Sequence, residues 1–259
     1  MITSKDNEKI RAAAKLVNSS KQRRKSGKFV MEGVRLCSEA LRENLFIHEM
    51  YYTADAFSAN KELVENLSAK AQFCSEVSKP VFAKMSDTEA PQGIMLIVSL
   101  SGPNNSFEGF KKGKYLAFER VSDPSNLGAA ARTAEALGLN GIILSNSSAD
   151  PYSPKSLRAS MGALIRLPVF CTDDFFGTLE ELKKRGFEVS GTVVHDNAYK
   201  VGNIPFGEKE IVVIGNEANG LSEPAKQLCT RLITIPMSGR AESLNAAAAA
   251  TIVMWEMSK

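Results

Sequence analysis

From Tyr115 onward, short apolar strands alternate with segments of helical spacing, and this rhythm limits the fold more than any other feature of the chain. The pattern predicts strands over Tyr115–Val121, Gly141–Leu144, Leu167–Phe170, Phe187–Val194, Glu210–Ile214 and Leu232–Ile235. Helices are predicted over Asn126–Leu137, Ser153–Met161, Phe175–Lys184, Ser222–Cys229 and Ser243–Met257. Strands that are apolar on both sides must be covered on both sides, so the fold class is α/β with a parallel sheet between helices. Asp196–Gly207 is rich in turn formers and reads as a loop.

A smaller α/β pattern precedes this one. It reads as helix Asp6–Val17, strand Phe29–Met31, helix Gly33–Glu43, strand Phe46–Tyr52, helix Lys61–Ala69, strand Ala71–Cys74, a helical turn over Lys79–Met85 and a buried strand Gly93–Ser99. Ser19–Lys28 reads as a loose basic connector. Residues 101–114 are dominated by Gly, Pro, Asn, Ser and Lys, the composition of a linker. The expected organisation is a small domain over 1–100, a linker over 101–114 and a second domain over 115–259.

Composition narrows the class. The chain has 259 residues, 44% hydrophobic and 24% charged, which excludes wholesale disorder and suffices for a buried core. The longest apolar runs, Gly93–Leu100 and Ala246–Trp255, fall far short of the roughly 20 residues that span a bilayer. Met1–Val17 is charged and has no apolar signal core. These features argue against a secreted or membrane protein. Cys37, Cys74, Cys171 and Cys229 are scattered without a C-x-x-C pair, which fits small buried thiols in a reducing cytoplasm rather than zinc ligands or disulfides. The net charge of +3 is unevenly placed: residues 1–35 hold ten Lys/Arg against three Asp/Glu. A basic arm on a mildly acidic body suits a polyanion such as nucleic acid; a solvated N-terminal helix is the plainer alternative.

Familiar catalytic signatures are missing. There is no phosphate loop, dinucleotide fingerprint or nucleophile elbow, and His48 and His195 support neither a metal constellation nor Ser–His hydrolysis. Three segments stand out instead, each following a predicted strand, where open α/β sheets bind ligands. The first is DPSNLGAAARTAEALG (Asp123–Gly138), with capping residues Asp123, Ser125 and Asn126 and with Arg132 early in the helix. A guanidinium there opposes the helix dipole but suits a phosphate. The second is IVVIGNEANGLS (Ile211–Ser222), where a buried strand enters Gly215-Asn216-Glu217 and Gly220 closes the loop. The third is ITIPMSGRAESLNAAAAATIVMW (Ile233–Trp255), with Ser243 as the expected helix N-cap. Taken singly, these are an Ala-rich helix with a surface Arg, an ordinary strand–turn–helix connection and a capped terminal helix. Together and in this order they are far more specific.

In these three stretches, D-P-S-N-L-G-A-A-A-R-T, I-G-N-E-A-N-G-L-S and I-P-M-S-G-R-A-E-S-L-N, the chain resembles the SpoU (TrmH-type) family of RNA ribose methyltransferases in the SPOUT superfamily. The resemblance covers roughly residues 115–257. The segment KFVMEGVRLCSEAL resembles, more weakly, the small α/β RNA-binding domain that precedes many such catalytic domains. What the resemblance implies is a C-terminal trefoil-knotted α/β domain, a homodimer through that domain with active sites near the subunit interface, and S-adenosylmethionine as methyl donor to an RNA 2′-hydroxyl. Ribosomal RNA is the expected substrate. It further implies Asn126, Arg132, Glu217, Ser243 and Asn245 as polar active-site residues. Thr192, Gly215, Asn216, Glu217, Gly220, Ile235, Met237 and Leu244 are the implied cofactor-binding set. Methyl transfer from a sulfonium needs no metal. Arg132 is expected to grip the phosphate beside the target ribose rather than act as a base, since arginine stays protonated. Arg23, Arg24, Lys25, Lys28 and Arg35, with Arg132, are the expected RNA contacts. Transfer RNA as substrate, a non-catalytic RNA-binding module on the same fold, and a doubly wound enzyme for a small molecule are the competing readings.

Overall fold

The computed structural model describes residues 1–99, 107, 109–110, 112–194 and 197–259. Most of the linker expected over 101–114 lies outside them, as does His195. Two compact units are present, one comprising Met1–Pro103 with Tyr152–Ile165, the other Asn104–Pro151 with Arg166–Lys259.

The first unit runs α1 (Glu8–Asn18), α2 (Ser20–Ser26), β1 (Lys28–Glu32), α3 (Val34–Arg42), β2 (Phe46–Tyr52), α4 (Ala54–Ala59), α5 (Lys61–Lys70), β3 (Phe73–Glu76), α6 (Lys79–Met85) and β4 (Ile94–Ser99). Its four strands form a mixed sheet in the order β1-β4-β2-β3. Ile10, Ala13 and Val17 of α1 and Phe82 of α6 bury themselves against Val30, Tyr51, Met95 and Ile97 on one face. The stretch expected to be a loose connector is instead α2. Ser19 accepts from the Gln22 N–H to cap it, and Gly27 ends it at φ +65°. Its Arg23 is buried, donating to the carbonyls of Leu16 (2.6 Å) and Val17 (2.9 Å) that end α1. Arg23, expected among the RNA contacts, has its guanidinium turned inward, where it fastens one helix to the next.

The second unit begins with β5 (Gly113–Phe118), α7 (Pro124–Ala136) and β6 (Gly141–Ser145). The chain then returns to the first unit through α8 (Pro154–Ser160), where Tyr152 stacks on Phe29 at 5.1 Å and Arg158 holds Asp87 through two bonds of 2.7 and 3.0 Å. After α9 (Ala163–Arg166) come β7 (Val169–Thr172), α10 (Phe175–Lys184), β8 (Glu188–Thr192), β9 (Tyr199–Lys200), β10 (Lys209–Ile214), α11 (Glu223–Leu228), β11 (Arg231–Thr234) and α12 (Ala246–Ser258). The short β9 lies inside the segment read as a loop. Seven strands form one parallel sheet in the order β7-β6-β5-β10-β8-β11-β9. The parallel α/β reading therefore holds. The buried Ile143, Val189, Ile211 and Val213 share a core with Phe175, Leu179 and Leu182 of α10 and Ala225 of α11. Small side chains on α7 (Ala130, Ala131, Ala134) and α12 (Ala246, Ala250) are buried where those two helices pack. No helix among the described residues is long and apolar enough to cross a membrane.

Candidate active site

Strands β10, β8 and β11 lie side by side, and all three point the same way. Their C-terminal ends therefore deliver Gly215, Thr192 and Ile235 to one edge of the sheet. Thr192 Oγ1 donates to the Val213 carbonyl at 2.9 Å, and the Val193 N–H to the Ile233 carbonyl at 2.9 Å, which pins the three ends together.

A cleft of about 340 Å³ opens there. All eight residues expected to hold the cofactor line it, and so does Ser243. The volume is at the lower end for a small-molecule site. Val193, Val194, Val201, Lys226 and Ala249 also form its wall and escaped the sequence reading. Val194 ends the strand predicted over Phe187–Val194, and Val201 lies inside the turn-rich segment, where no periodicity marks it. Lys226 sits on α11, where helical spacing gives a face but not what it faces.

The Gly215–Gly220 loop owes its shape to sequence. A Cβ on Gly215 would stand 2.2 Å from the Gly220 carbonyl carbon and 2.3 Å from the Leu221 nitrogen, so only glycine lets the two backbones pass. Asn216 and Gly220 exchange backbone hydrogen bonds of 3.0 and 2.8 Å. Asn216 Oδ1 accepts from the Ala218 and Asn219 N–H groups, and its Nδ2 donates to the Arg120 carbonyl at 2.8 Å. Asn216 is thus the brace of the loop.

Glu217 turns towards the first segment. Its carboxylate accepts from the Ser122 N–H (3.0 Å), the Ser122 hydroxyl (3.0 Å), the Asp123 N–H (3.1 Å) and Asn126 Nδ2 (3.0 Å). Partial burial alone would raise its pKa, but the hydrogen bonds from Ser122, Asn126 and Asp123 overcome this and hold it down to about 2. Asn126 is buried, and its Oδ1 accepts from Asn245 Nδ2 at 2.9 Å. Asn245 Oδ1 in turn accepts from the Ala247 and Ala248 N–H groups. Asn245, not Ser243, therefore caps α12; Ser243 lies two residues outside the cap, exposed at the cleft. Asp123 caps α7, which leaves Asn126 free to bridge rather than cap. One chain of hydrogen bonds, Glu217 to Asn126 to Asn245, joins the three distinctive sequence segments.

Glu119 was missed. It is buried and accepts from the Ser222 N–H at 2.9 Å, tying the end of β5 to the start of α11. No motif surrounds it, and only its place beside an apolar strand end could have flagged it.

Arg132 stands apart. It is exposed on α7, does not line the cleft and has no hydrogen bond or ion pair among the described residues. In the first unit, Arg24, Lys25 and Arg35 are exposed and Lys28 is half-buried, and among the described residues no carboxylate pairs with Lys25, Lys28 or Arg35.

Residues 113–255 match the description of the SpoU rRNA Methylase family, and residues 7–96 that of the MRM3-like substrate binding domain. The chain is 30% identical to the 23S rRNA (guanosine(2553)-2′-O)-methyltransferase RlmP of Bacillus subtilis, over 99% of this chain and 98% of that protein. The crystal structure of the SpoU methyltransferase AviRb from Streptomyces viridochromogenes, in complex with the cofactor AdoMet, is similar with a TM-score of 0.86 and 27% identity, covering 97% of both chains. The AdoMet-bound rRNA methyltransferase from Sinorhizobium meliloti gives a TM-score of 0.84 and 28% identity, over 99% of this chain and 96% of the other.

Proposed function

The chain belongs to the SpoU rRNA methylase family, and on that premise we propose that it transfers a methyl group from S-adenosylmethionine to a ribose 2′-hydroxyl of ribosomal RNA. The observation that carries this reading is the hydrogen-bonded line Glu217–Asn126–Asn245 beside a cleft to which all eight expected cofactor residues contribute. Relatives named as 23S rRNA 2′-O-methyltransferases support the ribosomal substrate.

The residues fit the cofactor. Ile235, Met237 and Leu244 offer apolar cover for an adenine, and the Gly215 backbone, bare of a side chain, allows close approach. When bound, the cofactor supplies a methyl group already activated by its sulfonium. The protein's work is orientation. Glu217 and Asn245 fix both ends of the Asn126 amide, so it faces the reacting groups in one orientation only. Ser243 stands exposed at the cleft as a donor or acceptor for the ribose. Arg132, permanently charged, holds the neighbouring phosphate and stabilises the developing alkoxide.

The reading extends to assembly. Residues 1–100 serve as the RNA substrate-binding domain, 101–114 as linker and 115–259 as the catalytic, trefoil-knotted domain; the β5-β10-β8 order supports the threading. A homodimer forms through the catalytic domain. Supporting this, α12 is apolar all round and leaves Ile252 and Trp255 exposed by 37% and 54%. Arg132, exposed and outside its own cleft, fits an active site completed at a subunit interface.

The test is incubation with methyl-labelled S-adenosylmethionine and either ribosomal or transfer RNA from cells lacking the protein, followed by mapping of 2′-O-methylated riboses. Label in ribosomal RNA is expected. Label in transfer RNA alone would redirect the substrate, and cofactor binding with no label in any RNA would leave an RNA-binding module.

A further inference from the structure

At one end of the first unit's sheet, Lys28, Ser99 and Phe46 sit opposite one another on β1, β4 and β2. Cross-strand partners share a face, so the ammonium, hydroxyl and ring project from the same side. Phe46 is 50% exposed, the most exposed aromatic on this sheet. His48 follows at an irregularity between Ile47 and Glu49 that interrupts the pairing with β4. Its ring meets Phe46 edge to face at 4.7 Å, and its Nε2 lies 3.1 Å from Ser99 Oγ. Burial first, and Lys28 second, hold its pKa below the usual value.

The surroundings are basic. Lys28 and Lys25 have no carboxylate partner among the described residues, and α2 places Arg24 and Lys25 in its last turn, immediately before Lys28. The nearest carboxylate along β2, Glu49, is taken up by Tyr51 and lies 3.9 Å from Lys9. An exposed phenyl ring on a face shared with the Lys28 ammonium is a poor seed for a protein interface, whose centre is depleted of charge. It suits a nucleotide, which offers a flat base to the ring and a phosphate to the ammonium.

We infer that Phe46, with His48 at its edge and Lys28 across β4 on the same face, is a stacking platform for an unpaired base of the substrate RNA. This rests on the proposed function and names how the first unit would hold its substrate. A base in a duplex is stacked on its neighbours, so the platform selects a loop, bulge or single-stranded end.

The experiment uses the full chain, with a labelled unstructured single-stranded RNA and a fully paired duplex of equal length as probes. Phe46→Ala should weaken single-strand binding by about 5- to 150-fold, the value of one stacked base. It should leave duplex binding, S-adenosylmethionine binding and the salt dependence unchanged. Phe46→Trp should retain affinity. Lys28→Ala should weaken binding several-fold and lower the salt slope by about 1. If the wild type binds the single strand and Phe46→Ala binds it equally well, the platform is wrong while the proposed function stands. If Phe46→Ala instead changes the oligomeric state at unaltered RNA affinity, the ring is a protein contact and the inference fails. A wild type that binds neither RNA overturns both.

Discussion

Glu217 and Asn126 stand 91 residues apart in sequence and share a hydrogen bond of 3.0 Å. The carboxylate fixes which way the amide points, and thereby leaves Asn126 Oδ1 aimed at Asn245. Glu217→Gln removes the charge that gathers four donors and lets the amide rotate. Methyl transfer should fall on the order of 10²-fold, the cost of misplacing a reacting group by about an ångström. Near-normal single-turnover rates would show that the amide is held by other means.

The same carboxylate sets a pH dependence. Its folded pKa, about 2, lies below the ordinary value of 4.5. Its stabilisation is therefore complete above about pH 4.5 and is lost as pH falls towards about 2. Thermal melts across that window should show a shallower acid-side loss for Glu217→Gln than for the wild type. Identical slopes would mean that the carboxylate titrates normally.

Asn245 has two duties that two substitutions separate. Asn245→Asp keeps the oxygen that caps α12 but loses the Nδ2 that donates to Asn126. Asn245→Ala loses both, at about 1 kcal/mol for the cap, or roughly 2–4 °C in Tm for a domain of this size. Asp should melt near the wild type yet methylate slowly, and Ala should be impaired in both. Equal activity in Asp and wild type would remove Asn245 from the site.

Arg132→Lys preserves the charge and discards the two-pronged geometry. RNA binding should persist while turnover falls at least tenfold. Turnover close to the wild type would argue for charge alone.

Trp255→Glu places a carboxylate on the exposed side of α12, where little in the chain itself is disturbed. Sedimentation should shift from dimer to monomer, with loss of methylation. A wild type that sediments as a monomer would refute the proposed dimer.

Much of this was legible in the sequence because it is local. The alternation of apolar strands with helices announced the parallel sheet, and the strand ends at Gly215 and Ile235 pointed to two walls of the cleft. What escaped was set by partners that no local periodicity marks. Ser19–Lys28 reads as a solvated connector because its basic composition does not show that Arg23 folds back onto the Leu16 and Val17 carbonyls. Ser243 and Asn245 are equally good caps in isolation; Asn126, far upstream, is the tertiary partner of Asn245. Strand order is likewise non-local: β10 enters between β5 and β8 although neither is its neighbour in sequence.

The return of Tyr152–Ile165 to the first unit means that the polypeptide passes between the units at 151/152 and again at 165/166, besides the connection that follows residue 99. A protease that nicks only one of these crossings leaves two pieces still strung together. Excising the first hundred residues is no clean amputation either, for it strands Tyr152 and Arg158 without Phe29 and Asp87.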